Sequence, residues 1–489
     1  MSTTTITKQQ NTTMNPTVEK IGGTSMSRFD EVRQNIFMNA SQTGELYNRV
    51  FVVSAYGGIT NLLLEHKKTG DAGVYSAFAE AEHESAWLEH LSVVRQHMIA
   101  VNHQMFTGEA LQRANHFISE RLNDAELCME NLQKLCTHGH FQVKSQLLRV
   151  REMLASLGEA HSAFNTVLML QQHDINARLV DLSGWDEPEP LDFDEMIQKH
   201  LEKTNPAEEM LIVTGYTHCK EGLMKTFDRG YSEMTFSKVA TLLNAREAII
   251  HKEFHLSSAD PGLVGAEAVL PIGRTNYDVA DQLSNLGMEA IHPKAARGLR
   301  QQSIPLRIKN AFEPEHEGTL ITTDYKNSRP CVEIIAGRKD VVGIEVFDQE
   351  MLGSLEYDIE ISRLLNQLKL YTVNKDADAN TITYYVTGNR KMINRAVRLI
   401  EEMYPTALVE LHNLSIVSAI GSDMKVKGIL ARAVSALSEA DINVIALHQS
   451  VRQVEIQCIV DEAHYETAIR ALHAKLIEGE NHGKVIRAA

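Results

Sequence analysis

The run Val18–Val32, VEKIGGTSMSRFDEV, sets one lysine before a glycine pair and a polar turn. Lys20 ends a short apolar-leaning strand, Gly22 and Gly23 make a corner, and Phe29, Val32 and Ile36 then share one helical face. Glycine lets a backbone approach a ligand, and a helix start offers free N–H groups and partial positive charge. An ammonium at Lys20, with Thr24 beyond the glycines, could therefore meet transferring phosphate oxygens. Ser27 and Asp30 have the spacing of a capping box. The same stretch also reads as an ordinary strand–helix turn with a surface lysine. No GxxxxGKS/T occurs in the chain, so a Walker-type loop is excluded.

A second stretch, VVSAYGGITNLL, repeats the geometry: a strand, then Ser54 to Gly58, then Thr60 and Asn61 opening a helix. Two glycine corners on neighbouring strand ends would form one crevice at the carboxyl edge of a sheet, where α/β proteins bind ligands. LGEAHS places Glu159 and Ser162 on one helical face, and FDRGYSE offers Arg229 and Ser232 beside a glycine. A carboxylate with a guanidinium can grip a zwitterionic amino acid, although each taken singly reads as a solvated surface charge. Cys128, Cys136, His138 and His140 do not have the spacing of a zinc site, so no metal is expected there. His251 and His255 read as ordinary polar positions.

The elements that must position these residues follow from the whole chain. Its 489 residues exceed one ordinary core and imply two to four domains. A net charge of −16 argues against a nucleic-acid binder and leaves any anionic substrate to a local cationic pocket. Five scattered cysteines suit a reducing compartment without a disulfide framework. Residues 1–16 are polar and lack the apolar core of a signal peptide, so they read as a disordered tail. No apolar run is long enough for a membrane helix, and a cytoplasmic protein is expected.

Over residues 17–310, apolar strands such as RVFVVSAY, MLIVTGYT and SIPLRIKN alternate with amphipathic stretches. That pattern suggests an α/β domain with a parallel sheet covered by helices. A glycine-poor excursion at about 76–150 reads as a helical insertion. After Pro330 a βαββαβ series repeats, giving two ferredoxin-like modules at 337–410 and 411–482.

EKIGGTS, VVSAYGGITNLL, LGEAHS and TFDRGYSE, followed by twin ferredoxin-like modules, resemble aspartate kinases over nearly the whole chain. The resemblance implies an amino-acid-kinase fold, with a mainly parallel sheet and helices on both faces, and two C-terminal ACT domains. VEKIGGTSMS and SAYGGITNLLLEHKK resemble the subgroup associated with ectoine synthesis.

Carried over, Lys20 would bridge ATP phosphates, and Gly22, Gly23 and Thr24 would contact them. Glu233 and Lys252 would lie on the nucleotide side. Ser54, Thr60 and Glu159 would hold aspartate from one side. Tyr216, where the family commonly has Phe, would join Arg229 and Ser232 on the other. The implied reaction moves the γ-phosphoryl group of ATP to the β-carboxylate, with Lys20 and Arg229 stabilising charge and Mg²⁺ bound through ATP rather than by the protein. Other readings are a kinase for glutamate or a related acid, and an amino-acid sensor with a degenerate kinase half.

The chain departs from the family chiefly on the nucleotide side. His251–Phe254 reads HKEF, Gly262 and Glu289 stand where cations are usual, Glu233 replaces Asp and Tyr231 replaces Gly. Lys294, Arg297 or Lys252 would have to substitute for the missing cations. In the first ACT module the effector frame places Met351, Ser354, Leu355 and Asn374. The usual Ser/Thr-Glu is replaced by Asp378–Asn380, so weak or absent lysine inhibition is expected. The connector 311–336 is expected to lend a strand to the second ACT unit, and ACT pairing implies a homodimer or larger.

Overall fold

The computed structural model describes residues 15–39, 46–67, 69–80, 86–136, 144, 146–227, 230–288, 290–351 and 355–479. Most of the expected N-terminal tail, together with His138, His140, Arg229, Glu289 and Ser354, lies outside the described residues. In chain order the strands are β1 (Thr17–Ile21), β2 (Arg49–Val53), β3 (Ala177–Val180), β4 (Met210–Thr214), β5 (Glu247–Lys252), β6 (Arg274–Asn276), β7 (Leu306–Asn310), β8 (Thr319–Thr322), β9 (Ile334–Phe347), β10 (Tyr371–Ala377), β11 (Thr381–Thr387), β12 (Leu408–Ile420), β13 (Ala446–Gln449) and β14 (Glu455–Asp461). The chain divides into two compact units. One holds the residues up to His255 with Ile291–Gly318, and the other holds Leu256–Ala290 with the chain from Thr319.

In the first unit the strands run β3-β4-β2-β1-β5-β7, every pair parallel. Helices cover both faces, so β2 and β4 are buried along their whole length, and their sequences RVFVV and MLIVT are almost purely apolar. β1 breaks that rule, because its central position carries adjacent charges, Glu19 and Lys20, on opposite faces. Glu19 is neutralised where it stands: Arg49 donates to both its oxygens at 2.7 and 3.1 Å, and His251 Nε2 lies 2.8 Å away. His251 is thus part of a buried ion network rather than an ordinary polar position, since a carboxylate inside a sheet face needs compensating charge.

The helical excursion contains the helices Ala86–Met105 and Gly108–Cys136, and is followed by Leu147–Gln171. Leu147–Gln171 is buried nearly all round, with Leu154, Leu157, Ala160, Ala163 and Leu168 in the core. Buried polar groups on such a helix need partners. His161 Nε2 and Asn165 Nδ2 each lie 2.7 Å from Asn102 Oδ1, pinning the helix Ala86–Met105 to it. This same helix carries Glu159.

In the second unit β6 pairs with β8 in parallel. The helix Tyr277–Asn285 places Val279 and Leu283 in the same core as Ile334, Ile416 and Leu437. Shared apolar burial is what groups Leu256–Ala290 with the C-terminal modules. Those modules form one antiparallel sheet in the order β10-β11-β9-β12-β14-β13. β9 and β12 each serve both modules. Val341–Phe347 of β9 faces Leu408–Leu414 of β12, while Ile334–Arg338 faces Ile416–Ile420. Asp340, in the left-handed region at φ 62°, lies where β9 passes from one module to the other. The fourth strand of the second module therefore comes from upstream of the first.

Candidate active site

β1 and β2 are parallel neighbours with Lys20 beside Val52 and Ile21 beside Val53, so both glycine corners emerge at one sheet edge. Ser27 joins them. Its hydroxyl accepts from Gly57 N–H at 2.7 Å and donates to the Gly23 carbonyl at 3.2 Å. The expected capping box does not form, and the helix Phe29–Val32 begins without a side-chain cap, because that hydroxyl is spent across the two corners. A Cβ at Gly23 would lie 2.5 Å from the Ala55 carbonyl oxygen, so only glycine permits this approach.

The corners line a cavity of about 310 Å³ with Lys20, Thr24, Ser54 and Thr60. Its other wall is Glu159 and the stretch Gly230–Glu233, where the helix Tyr231–Leu242 begins. Gly22 is not on the lining; a Cβ there would sit 4.0 Å from both Lys20 Nζ and Glu253 Oε1. Ser25 donates to Glu253 at 2.8 Å.

Glu159 and Glu233 divide the electrostatic work. Ser54 donates to Ser232 Oγ at 3.2 Å, and Ser232 donates to Glu159 Oε1 at 2.5 Å. Glu159 Oε2 is buried, and among the described residues no hydrogen-bond partner reaches it. Burial pushes the Glu159 carboxyl up to about 8, against the pull of Ser232, the Lys20 charge and the Ala55 N–H. Glu233 lies on the other side, 3.5 Å from Lys20 Nζ, and accepts the His292 N–H at 2.6 Å. Burial alone would raise Glu233, but Lys20, Lys252 and the His292 N–H outweigh it and hold the carboxyl below its ordinary value. Gly215, just after β4, lies outside the lining but packs against Glu159 and Ser232: a Cβ there would lie 2.8 Å from Glu159 Oε2 and 2.9 Å from Ser232 Cβ.

Tyr216 is 1% exposed and lies beneath the wall rather than on it. Its hydroxyl donates to Glu152, whose other oxygen accepts the Met224 N–H at 2.9 Å, and its ring meets Tyr231 edge-on at 5.5 Å. Lys294 sits over the Phe227 ring at 4.9 Å and Arg297 is exposed. Gly262 opens a short helix whose Asp260 caps its N–H at 2.8 Å. In the first C-terminal module Met351 is buried with Tyr357 and Ile361, and Leu355 is 76% exposed. Asn374 donates to Gln457 of the second module at 2.6 Å.

The sequence reading missed Ser27 as a bridge, Gly215 as the close neighbour of Glu159, and Glu152. Gly215 had a visible signal, since VTGYT is a third strand ending in glycine. Glu152 had none, because nothing local marks its partner 64 residues away.

The arrangement offers an ammonium at one end, a buried carboxylate with a spare oxygen at the other, and hydroxyls and N–H groups between them. The amino acid kinase family matches residues 15–310, and an ACT domain matches residues 417–476. Aspartate kinase Ask_Ect of Stutzerimonas stutzeri is 66% identical over 97% of this chain and 100% of its own length. Chloroplastic aspartokinase 1 of Arabidopsis thaliana is 25% identical over 94% of this chain and 80% of its own. The fold resembles that of E. coli aspartokinase III solved in complex with aspartate and ADP, with a TM-score of 0.71 at 19% identity, covering 94% of this chain and 99% of that one. The chain belongs to the amino acid kinase family, as an aspartate kinase with a C-terminal ACT domain.

Proposed function

We propose that the protein phosphorylates the β-carboxylate of L-aspartate with ATP, giving 4-phospho-L-aspartate and ADP, as the first step of an aspartate-derived pathway that we take to be ectoine synthesis. The observation that carries this reading is the buried Glu159 oxygen, without a partner among the described residues, in the same cavity as Lys20. A buried carboxylate with a free acceptor calls for a donor, and a substrate ammonium supplies one with charge.

With the ammonium on Glu159, Ser54 and Thr60 bound the substrate on the β2 side and Ser232 on the other. We assign Arg229 to the α-carboxylate by its place in the family motif. The β-carboxylate is already ionised, so an oxygen of it attacks the γ-phosphorus directly and the bond to the ADP oxygen breaks, with no general base required. Lys20 then has the task of neutralising charge on the transferring oxygens, aimed by Glu233 at 3.5 Å. The N–H groups of the glycine corners and of the helix start at Tyr231 are suited to the phosphate chain. Glu233, the carboxylate nearest Lys20 in the cavity, is already engaged by Lys20 and His292, so we take Mg²⁺ to arrive on the nucleotide phosphates, where it would neutralise their charge.

The test is to trap the acyl phosphate with hydroxylamine, using ATP with aspartate or with glutamate. Aspartyl hydroxamate should form and should fall by about 10²–10³ in kcat for Lys20→Ala. Absence of aspartyl hydroxamate refutes the reading, and a preference for glutamate reassigns the substrate. We also propose self-association through the outer strands β10 and β13, whose outer edges have no partner strand among the described residues; light scattering reads the size. Among the described residues no helix is long and apolar enough to cross a membrane.

A further inference from the structure

The sheet of the first unit carries a second polar cavity, of about 380 Å³, on the face opposite Lys20. That volume is in the range of small-molecule pockets, roughly 300–1,000 Å³. Its floor is made by alternate residues of β5 and β7, and most charges there are matched. Glu19 is held by Arg49 and His251, and Arg307 donates to Glu247 at 2.8 Å.

Lys309 is the exception. It is 8% exposed and lines the cavity, and among the described residues no hydrogen bond or ion pair reaches its ammonium. Burial pulls that ammonium below its ordinary value, although Glu19 and Glu247 act at longer range to hold the proton. The side chain is packed while its ammonium stays open to the cavity, so a ligand carboxylate there would supply the close partner that the protein does not. Glu315 and Glu317 line the same cavity and are exposed. The cavity is therefore positive at its floor and negative at its rim.

We propose that this cavity binds a small zwitterion of the amino-acid class, its carboxylate on Lys309 and its ammonium toward Glu315 and Glu317. A simple anion would satisfy Lys309 but would have to pass and face the acidic rim. A simple cation would suit the rim and meet Lys309 unfavourably. The site is separate from the catalytic pocket, since β1 gives Glu19 to one and Lys20 to the other. The proposal does not depend on the assigned phosphotransfer.

Thermal shift and calorimetry on the full chain test it, with each proteinogenic amino acid as probe and with acetate and methylamine as half-ligands. At least one amino acid should raise Tm and bind more tightly than acetate or methylamine. Lys309→Met should weaken that amino acid by at least about tenfold. Replacing an ammonium that has no close partner should leave this variant folded, with a Tm of its own near that of wild type. Glu315→Gln combined with Glu317→Gln, both at exposed positions, should weaken the amino acid and leave acetate unaffected. Glu159→Gln, an alteration of the catalytic pocket, should leave the binding intact. The proposal is overturned if no amino acid binds, if acetate matches the best amino acid, if Lys309→Met binds as well as wild type, or if Glu159→Gln abolishes the binding.

Discussion

Ser232 donates to one oxygen of Glu159 at 2.5 Å, and the other is buried without a partner among the described residues. The carboxyl is pushed up to about 8 by burial, so at neutral pH the empty pocket holds it mainly protonated. Binding of an ammonium requires the ionised form and must release that proton.

It follows that kcat/KM for aspartate should climb by roughly tenfold per pH unit below about 8 and level off above it. Glu159→Gln should flatten this limb. The stability contribution has the opposite sense. Between the ordinary value of 4.5 and about 8 the folded chain holds a proton that the unfolded chain has lost, so this group's contribution falls as pH rises. A pH–rate profile flat from 6 to 8 in the wild type would refute the assignment.

Glu233 holds Lys20 at 3.5 Å and the His292 N–H at 2.6 Å. Glu233→Gln keeps an acceptor for His292 and removes the charge that aims Lys20. We expect kcat to fall by about 10–100-fold with KM for aspartate changed little, because Lys20 acts on the transferring group rather than on the bound amino acid. A change confined to KM in steady-state kinetics would argue instead for a role in aspartate binding.

Gly215→Ala places a Cβ 2.8 Å from Glu159 Oε2 and 2.8 Å from the Val53 carbonyl oxygen. Overpacking of this kind costs about 1–3 kcal/mol, and here it displaces the oxygen meant for the ammonium. Denaturant melts should show the loss, and KM for aspartate should rise by about tenfold, the equivalent of roughly 1.4 kcal/mol. An unchanged KM would show that this contact does not bear on the substrate.

Tyr216→Phe makes a contrasting case. Its hydroxyl serves Glu152 and not the cavity, so the variant should lose about 1–3 kcal/mol by leaving a buried carboxylate short of a partner. KM for aspartate should stay within about twofold of wild type, since the ring that supports Tyr231 is kept. A tenfold rise would place the hydroxyl in the substrate's environment after all.

In the C-terminal modules the Asn374 amide is engaged by Gln457 at 2.6 Å, and Asp378–Asn380 stand in place of the usual Ser/Thr-Glu. Lysine at millimolar concentration should therefore inhibit the purified enzyme weakly or not at all. Strong inhibition would show that the effector frame is rebuilt from other residues.

Local sequence determined the pieces. Apolar runs bounded by glycine marked β2 and β4, glycine pairs marked the two corners, and the lysine before Gly22 marked the cationic end of the pocket. Periodicity alone exposed the repeated βαββαβ series, because period and length are properties of consecutive residues. Tertiary structure decided what those residues do to one another. Ser27 had capping-box spacing, yet its hydroxyl went to Gly57, a partner 30 residues away. His251 read as an ordinary polar position until β1 and β5 paired and set it on Glu19. The unpaired oxygen of Glu159 and the unpaired ammonium of Lys309 are statements about packing and about the absence of close partners among the described residues. Both depend on every element that packs around the group, so no spacing within one segment can encode them.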